Sequence, residues 1–334
     1  MKIIIPMAGR GTRLRPHTLT VPKPLVNIAG KPMVQRLVED LSKGLKEKVT
    51  EVAFIVGDFG KEVEDQLLDI AKGIKAKGKI YYQNQPLGIA HALLCAEKSL
   101  EDKVMVAFSD TLFKADFEFD TDDDGVIWVQ KVANPSSFGV VKVDKKGVIT
   151  DLVEKPQEFV SDLAIVGIYY FKDGENLRKE LQYLLDNDIR VKGEFQLTSA
   201  LENMKNKGIR FKTGEIEEWL DCGNKDTVIF TNQRILEINK SQKMVSNSAK
   251  IKNSIIRLPC FIGDDVEIKN SVVGPHVSIG NRSVVKNSIV RNSIVQEHSE
   301  IKNALLENAM IGSHATYEGS RSDVSLGDYS SIKT

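Results

Sequence analysis

Near the start of the chain a glycine-containing turn, Ala8-Gly9-Arg10-Gly11-Thr12-Arg13-Leu14, follows the apolar run Ile3 to Ile5. Glycines let backbone N–H groups close around phosphate oxygens, and Arg13 adds a planar fork of donors. Lys23 stands between Pro22 and Pro24, so a second cation sits on a stiff segment close in sequence to that turn. The chemistry on offer is a grip on a small polyanion. By itself the loop reads equally as a tight strand-to-helix turn. It lacks the Gly-Lys-Ser/Thr ending of a P-loop and is not Gly-x-Gly-x-x-Gly. A dinucleotide site would need an acid some 20 residues further on. There, Pro32-Met33 opens a helix instead.

The elements that must position these residues alternate. Lys2–Ile5, Val52–Val56, Ile80–Gln83 and Val104–Phe108 read as short buried strands. Between them Pro32–Lys46, with apolar residues at 33, 34, 37, 38, 41 and 45, together with Lys61–Lys77 and Ile89–Ser99, reads as helix. This succession predicts an α/β domain: a Rossmann-like, mixed, mainly parallel sheet flanked by helices. Ligands of such sheets bind beyond the carboxyl ends of the strands. Asp110, just beyond Val104–Phe108, and Asp221, just beyond Ile216–Leu220, fall in such places. An Asp after a strand is also a common turn residue or helix cap, so position alone does not assign it.

The chain changes character near residue 241. Asn plus Ser make up 18 of the first 244 residues but 23 of the last 90, with no rise in charge. Ile262-Gly-Asp-Asp-Val-Glu-Ile-Lys-Asn270 recurs as Ile279-Gly-Asn-Arg-Ser-Val-Val-Lys-Asn287 and as Val295-Gln-Glu-His-Ser-Glu-Ile-Lys-Asn303. Shorter echoes stand at Ile311-Gly-Ser-His and Leu326-Gly-Asp-Tyr. Within each repeat the apolar residues fall six apart (Ile256, Ile262, Ile268; Val273, Ile279, Val285), which predicts a parallel β-helix with three short sides per coil. Asn, Ser and Gly suit its corners because they tolerate left-handed backbone angles. A disordered tail would not keep β-branched residues in register. The expected division is therefore 1–240 and 241–334.

With 46 basic and 46 acidic side chains the whole carries no net charge, and neither part hides a basic patch, since residues 245–334 hold 10 and 9. Nucleic acid is disfavoured as a partner. The run Ile3 to Ile5 is closed by Pro6, too short for a signal-peptide core or a membrane span, so the chain reads as cytoplasmic, with no membrane partner. Cys95, Cys222 and Cys260 are odd in number and far apart, which fits free thiols.

Taken in order, the motifs resemble the sugar-phosphate nucleotidyltransferases, or NDP-sugar pyrophosphorylases. Their opening signature stands here as Gly11-Thr-Arg-Leu14, Pro16, Lys23-Pro-Leu25 and Lys31-Pro-Met33. Further blocks follow as Gln83-Asn-Gln-Pro-Leu-Gly88, Ser109-Asp110, Phe138-Gly139, Glu154-Lys155-Pro156, Gly167-Ile-Tyr169, Glu194 with Leu197-Thr198, and Trp219-Leu-Asp221-Cys-Gly223. Many members also carry a left-handed β-helix, so the resemblance spans nearly the whole chain. It implies attack of a sugar 1-phosphate on the α-phosphorus of a nucleoside triphosphate, with pyrophosphate leaving. A phosphate monoester is largely a dianion at neutral pH, its second pKa being about 6, so the reaction needs cations more than a strong base.

By resemblance, Ala8, Gly9, Gly11, Thr12 and Arg13 hold the triphosphate and Lys23 bridges α-phosphate and leaving group, making Arg13 and Lys23 the catalytic cations. Asp110 and Asp221 share a Mg²⁺, Lys155 binds the sugar's phosphate, and Gly139, Glu154 and Gly167 surround its hydroxyls. Gln83 and Gly88 read the base. A side-chain amide suits the O4/N3–H edge, which uracil and thymine share. The expected pair is dTTP or UTP with glucose 1-phosphate. A mannose-1-phosphate guanylyltransferase-like specificity, or a non-catalytic regulatory or assembly homologue, is the alternative. Two departures bear on the site: Ser109-Asp110-Thr111 replaces the commoner Gly-Asp-Asn, and Cys222-Gly223-Asn224 the commoner Val-Gly-Thr. His276, His298 and His314 are candidate bases for acyl transfer by the coils, but histidines at corners are more often solvated. Open ends of a β-helix expose sheet edges, so a homo-oligomer is expected as a further possibility.

Overall fold

The computed structural model describes residues 1–115 and 119–320. The repeat at Leu326-Gly-Asp-Tyr lies outside them. Two compact units are distinguished: Met1–Val26 with Lys31–Asn224, and Asn27–Gly30 with Lys225 onward.

In the first unit the alternation becomes β1 (Lys2–Pro6), α1 (Met33–Gly44), β2 (Glu51–Val56), α2 (Lys61–Gly73), β3 (Lys77–Tyr82), α3 (Ile89–Cys95) and β4 (Val104–Ala107). There follow β5 (Thr111–Lys114), β6 (Gly125–Lys131), β7 (Gly139–Val143), β8 (Ile149–Glu154), β9 (Leu163–Phe171), α4 (Gly174–Asp186), α5 (Leu197–Asn206), β10 (Phe211–Glu215) and β11 (Glu218–Asp221). One sheet runs β8-β7-β9-β4-β1-β2-β3, with β6 pairing β9 and β10. Following each pairing, all strands run with β1 except β8 and β9, so the sheet is mixed and mainly parallel, as expected. Strands β1, β2 and β4 are continuous apolar runs because helices cover both faces; Ile3, Ile4 and Ile5 are fully buried. The apolar stripe of α1 (Met33, Val34, Leu37, Val38, Leu41) is buried throughout.

The element bounds differ from expectation where periodicity outlasts the helix. The run expected as helix to Lys77 ends at Gly73, and Lys75 turns left-handed (φ 59°) so that β3 can begin at Lys77. Ile74 continues the 3.6-residue apolar spacing of Leu67, Ile70 and Ala71, which hides the stop. The helix expected to Ser99 closes at Cys95, with one 3-10 turn, Glu97–Ser99, after it. Strand β11 starts at Glu218 rather than Ile216 and includes Asp221 as its last residue.

In the second unit the coils stack as three parallel sheets, the faces of the expected left-handed β-helix. Register links Ile251, Ile268, Val285, Ile301 and Tyr317 on one face, and Ile262, Ile279, Val295 and Ile311 on another. These are the repeat steps of the sequence. Ile262, Ile268, Val273, Ile279 and Val285 form the buried column. At the corners Asn253, Asn270, Asn287 and Asn303 all take positive φ, and each of the first three donates its side-chain N–H to the next one's Oδ1. His276, His298 and His314 also occupy left-handed corners, and the rings of His298 and His314 stack with centroids 4.7 Å apart. Helix α6 (Lys225–Ile238) belongs to this unit. Its buried Asn232 accepts from Ala29 N–H at 3.0 Å and from Ser278 Oγ at 2.6 Å.

Candidate active site

The chain lays down β1, β2 and β3 in one direction across the sheet, then returns to place β4 on the other side of β1. This reversal opens a crevice beyond the carboxyl ends of β1 and β4, the usual ligand position in an open α/β sheet. A cavity of about 500 Å³ lies there, lined by Ala8, Gly9, Gly11, Thr12, Arg13, Lys23, Gln83, Gly88, Asp110 and Lys155, and also by Phe108, Glu194 and Gly223. Ten of the expected site residues thus meet in one cavity, although the chain separates them widely.

Local structure explains the arrangement. Gly11 is left-handed (φ 59°) and starts a single 3-10 turn, Thr12–Leu14, whose buried Leu14 anchors the loop while Arg13 stays exposed. A Cβ on Gly11 would lie 2.7 Å from Lys23 Cβ, so glycine is what lets the proline-flanked segment close over the loop. The Lys23 side chain is only 9% exposed, and its Nζ donates to Asp110 Oδ2 at 2.6 Å. A buried ammonium needs that partner.

Asp110 leads into β5, which pairs antiparallel with β11 so that Asp221 faces Thr111. Cys222 N–H donates to the Asp110 carbonyl at 3.0 Å. The two aspartates are thereby neighbours. Burial pushes the Asp221 carboxyl above the usual range; the Asp110 charge adds to the rise, and the Gly223 N–H, Lys23 and Arg13 oppose it. A side chain on Gly223 would come within 2.8 Å of Asp221 Oδ2. Among the described residues no three His, Cys, Asp or Glu side chains cluster as a self-sufficient metal cage. Two hard carboxylates suit a Mg²⁺ that takes its remaining ligands from phosphate and water.

Lys155 holds a left-handed backbone (φ 44°), fixed by its N–H donating to Phe138 O at 3.1 Å. Such a conformation costs a non-glycine residue roughly 1–2 kcal/mol. It puts Lys155 on the cavity wall, half-exposed, 3.7 Å from Glu154 Oε1. Gly139, Glu154, Gly167 and Asp221 do not line the cavity itself. Gly139 abuts Glu154, since a Cβ there would be 3.1 Å from Glu154 Oε2, and that oxygen accepts from Thr198 Oγ1 at 3.4 Å. Gly167 (φ 91°) packs on the ring of Phe108, which does line the cavity. Thr111 is turned away: its buried hydroxyl donates to Val166 O at 2.9 Å. This departure therefore braces β9.

Other participants escaped sequence reasoning. Segment 194–195 docks on the loop before α3: Phe195 N–H donates to Leu87 O at 2.8 Å, and Ala90 N–H to Phe195 O at 3.0 Å. Gly88 (φ 111°) has no room for a side chain, because a Cβ would be 2.5 Å from Phe195 O. Gln83 Nε2 donates to Gly88 O at 3.0 Å and lies 3.1 Å from His91 Nδ1. Glu194 was visible only as part of a motif, and nothing in the spacing of His91 distinguished it from a helix-surface residue.

A switch-point crevice with a glycine loop, three cations (Arg13, Lys23 and Lys155) and Asp110, with Asp221 beside it, defines a phosphate-handling transferase of the open α/β class. The profile of the nucleotidyl transferase family matches residues 2–238, and the chain belongs to that family. It is 32% identical over 265 residues to the low-salt glycan biosynthesis nucleotidyltransferase of Haloferax volcanii, covering 76% of this chain and 72% of that one. To the glucose-1-phosphate thymidylyltransferase of Streptomyces antibioticus it is 32% identical over 288 residues, covering 79% and 78%. To the bifunctional protein GlmU of Methanococcus maripaludis it is 32% identical over 266 residues, 77% of this chain but only 60% of that longer protein. A crystal structure of UDP-glucose pyrophosphorylase with UDP-glucose shares the fold, with TM-score 0.60 and 24% identity over 71% of this chain and 98% of that one. The described residues contain no helix long and apolar enough to cross a membrane.

Proposed function

We propose that this nucleotidyltransferase joins a nucleoside triphosphate to a sugar 1-phosphate with release of pyrophosphate, and that its preferred pair is dTTP or UTP with glucose 1-phosphate. The observation that carries the reading is the single cavity in which the glycine loop, Arg13, Lys23 and Lys155 meet Asp110 and the base-reading pair Gln83 and Gly88. Backbone N–H groups of the loop and Arg13 would hold the triphosphate. Lys23, already aimed by Asp110, would neutralise charge as it shifts from the α-phosphate to the leaving pyrophosphate, the kind of preorganised stabilisation that dominates such transfers. Lys155 would hold the incoming phosphate beside the α-phosphorus, with Gly139, Glu154 and Gly167 behind it for the hexose. Asp110 and Asp221 would hold Mg²⁺, which supplies further neutralisation of the phosphates when bound.

Two polyanions brought together in one orientation need little else. A panel of dTTP, UTP, CTP, GTP and ATP against several hexose 1-phosphates, followed by pyrophosphate release with and without Mg²⁺, tests the reading. Turnover with dTTP or UTP is the expected result. Preference for GTP with mannose 1-phosphate would reassign the substrates, and no turnover with any pair would retire the enzymatic reading.

A further inference from the structure

Gln83 is expected to meet the base, but an amide can present either its oxygen or its nitrogen. Here the orientation is forced. Gly88 O can only accept, so the end of Gln83 that lies 3.0 Å from it must be the NH₂. The same Nε2 lies 3.1 Å from His91 Nδ1, so that ring nitrogen must accept the second amide proton, which makes His91 neutral with its proton on Nε2. Burial pushes the His91 imidazole below its ordinary value, in keeping with a neutral ring. Both amide protons are spent on the protein, and Oε1 is left as an acceptor.

The geometry points to His91 as a positioning residue that locks Gln83 with Oε1 toward the bound base, so that the site selects a ring N–H at that position. This rests on the pyrimidine reading proposed above. Uracil and thymine carry a donor at N3, whereas cytosine carries a lone pair there. A freely turning amide would offer its NH₂ to cytosine; a locked one sets lone pair against lone pair. His91 follows Gly88 closely on α3, and the loop it braces is itself pinned by the hydrogen bonds between Leu87, Ala90 and Phe195.

The test is the ratio of kcat/KM for UTP or dTTP over that for CTP, with glucose 1-phosphate fixed. His91→Phe removes the acceptor, and the ratio should fall about five- to tenfold, the worth of one such hydrogen bond, with most of the change in KM rather than kcat. His91→Asn places Oδ1 near the position of Nδ1 and should restore the ratio. An unchanged ratio in His91→Phe, or failure of His91→Asn to restore it, overturns the assignment. A readout independent of mutant folding is the His91 tautomer in the parent protein by long-range ¹H–¹⁵N spectra. The Nε2–H form is required, and an Nδ1–H form overturns the lock. If the parent turns over no pyrimidine triphosphate, the proposed function fails by itself, while the tautomer still judges the lock.

Discussion

Lys23 and Asp110 hold each other at 2.6 Å, and both line the cavity. Replacing the cation by an apolar residue of similar length, Lys23→Met, should lower kcat by about 10²-fold or more, on the scale of losing one preorganised charge-stabilising donor. Asp110→Asn and Asp221→Asn should each abolish Mg²⁺-dependent turnover with circular dichroism unchanged; full activity in either would remove that residue from the metal site. Asp221→Asn carries a second, opposite expectation. Because burial raises the Asp221 carboxyl in the folded chain, the native state binds its proton more tightly than the unfolded state does. Stability from this group is present below the unfolded carboxylate value and lost as pH rises through the higher folded one. Without metal, Asp221→Asn should therefore melt higher than the parent at neutral pH, and the gap should close on acidification. A lower melting temperature at neutral pH would show that the carboxylate is not strained there.

Elements bring these residues together by ending at the right edge. Strands β1, β3 and β4 deliver the glycine loop, Gln83 and Asp110 from their carboxyl ends, and β11 delivers Asp221 by pairing with β5. The turn before α3 leaves no room for a side chain at Gly88. Gly88→Ala would force a Cβ into Phe195 O at a residue whose φ is 111°. We expect a loss of about 1–3 kcal/mol from the strain and a raised KM for the triphosphate with a smaller change in kcat, measured by urea unfolding and steady-state kinetics. Alternation of strand and helix was legible because continuous Ile/Val runs and 3.6-residue stripes are local signals. The stop of α2 at Gly73 was not, because Ile74 keeps the helical period while the backbone turns away.

At the scale of the molecule, a one-dimensional stack of coils carries the C-terminal part, and its corners are interdependent. Asn287→Ala would leave a left-handed residue (φ 50°) without its side chain and cut the ladder to both Asn270 and Asn303. It should cost about 2–3 kcal/mol, read as a lower unfolding midpoint of the coils. Truncation after residue 240, the expected boundary, would keep α6 but remove Ser278, a partner of its buried Asn232. Such a chain should melt lower than the full-length protein. If the coils mediate self-association, it should also sediment as a smaller species; equal sedimentation would place any assembly elsewhere.

The sequence by itself determined the repeats, the α/β alternation and the ordered motifs, because periodicity, turn chemistry and glycine placement are written residue by residue along the chain. Only the tertiary structure decided which acids are neighbours, that Thr111 braces β9 instead of facing the cavity, and that segment 194–195 and His91 support the Gln83–Gly88 loop. The reason is physical: hydrogen bonds such as Phe195 to Leu87, or Cys222 to Asp110, join backbones about a hundred residues apart, and no local spacing encodes a contact that exists only once the sheet has closed.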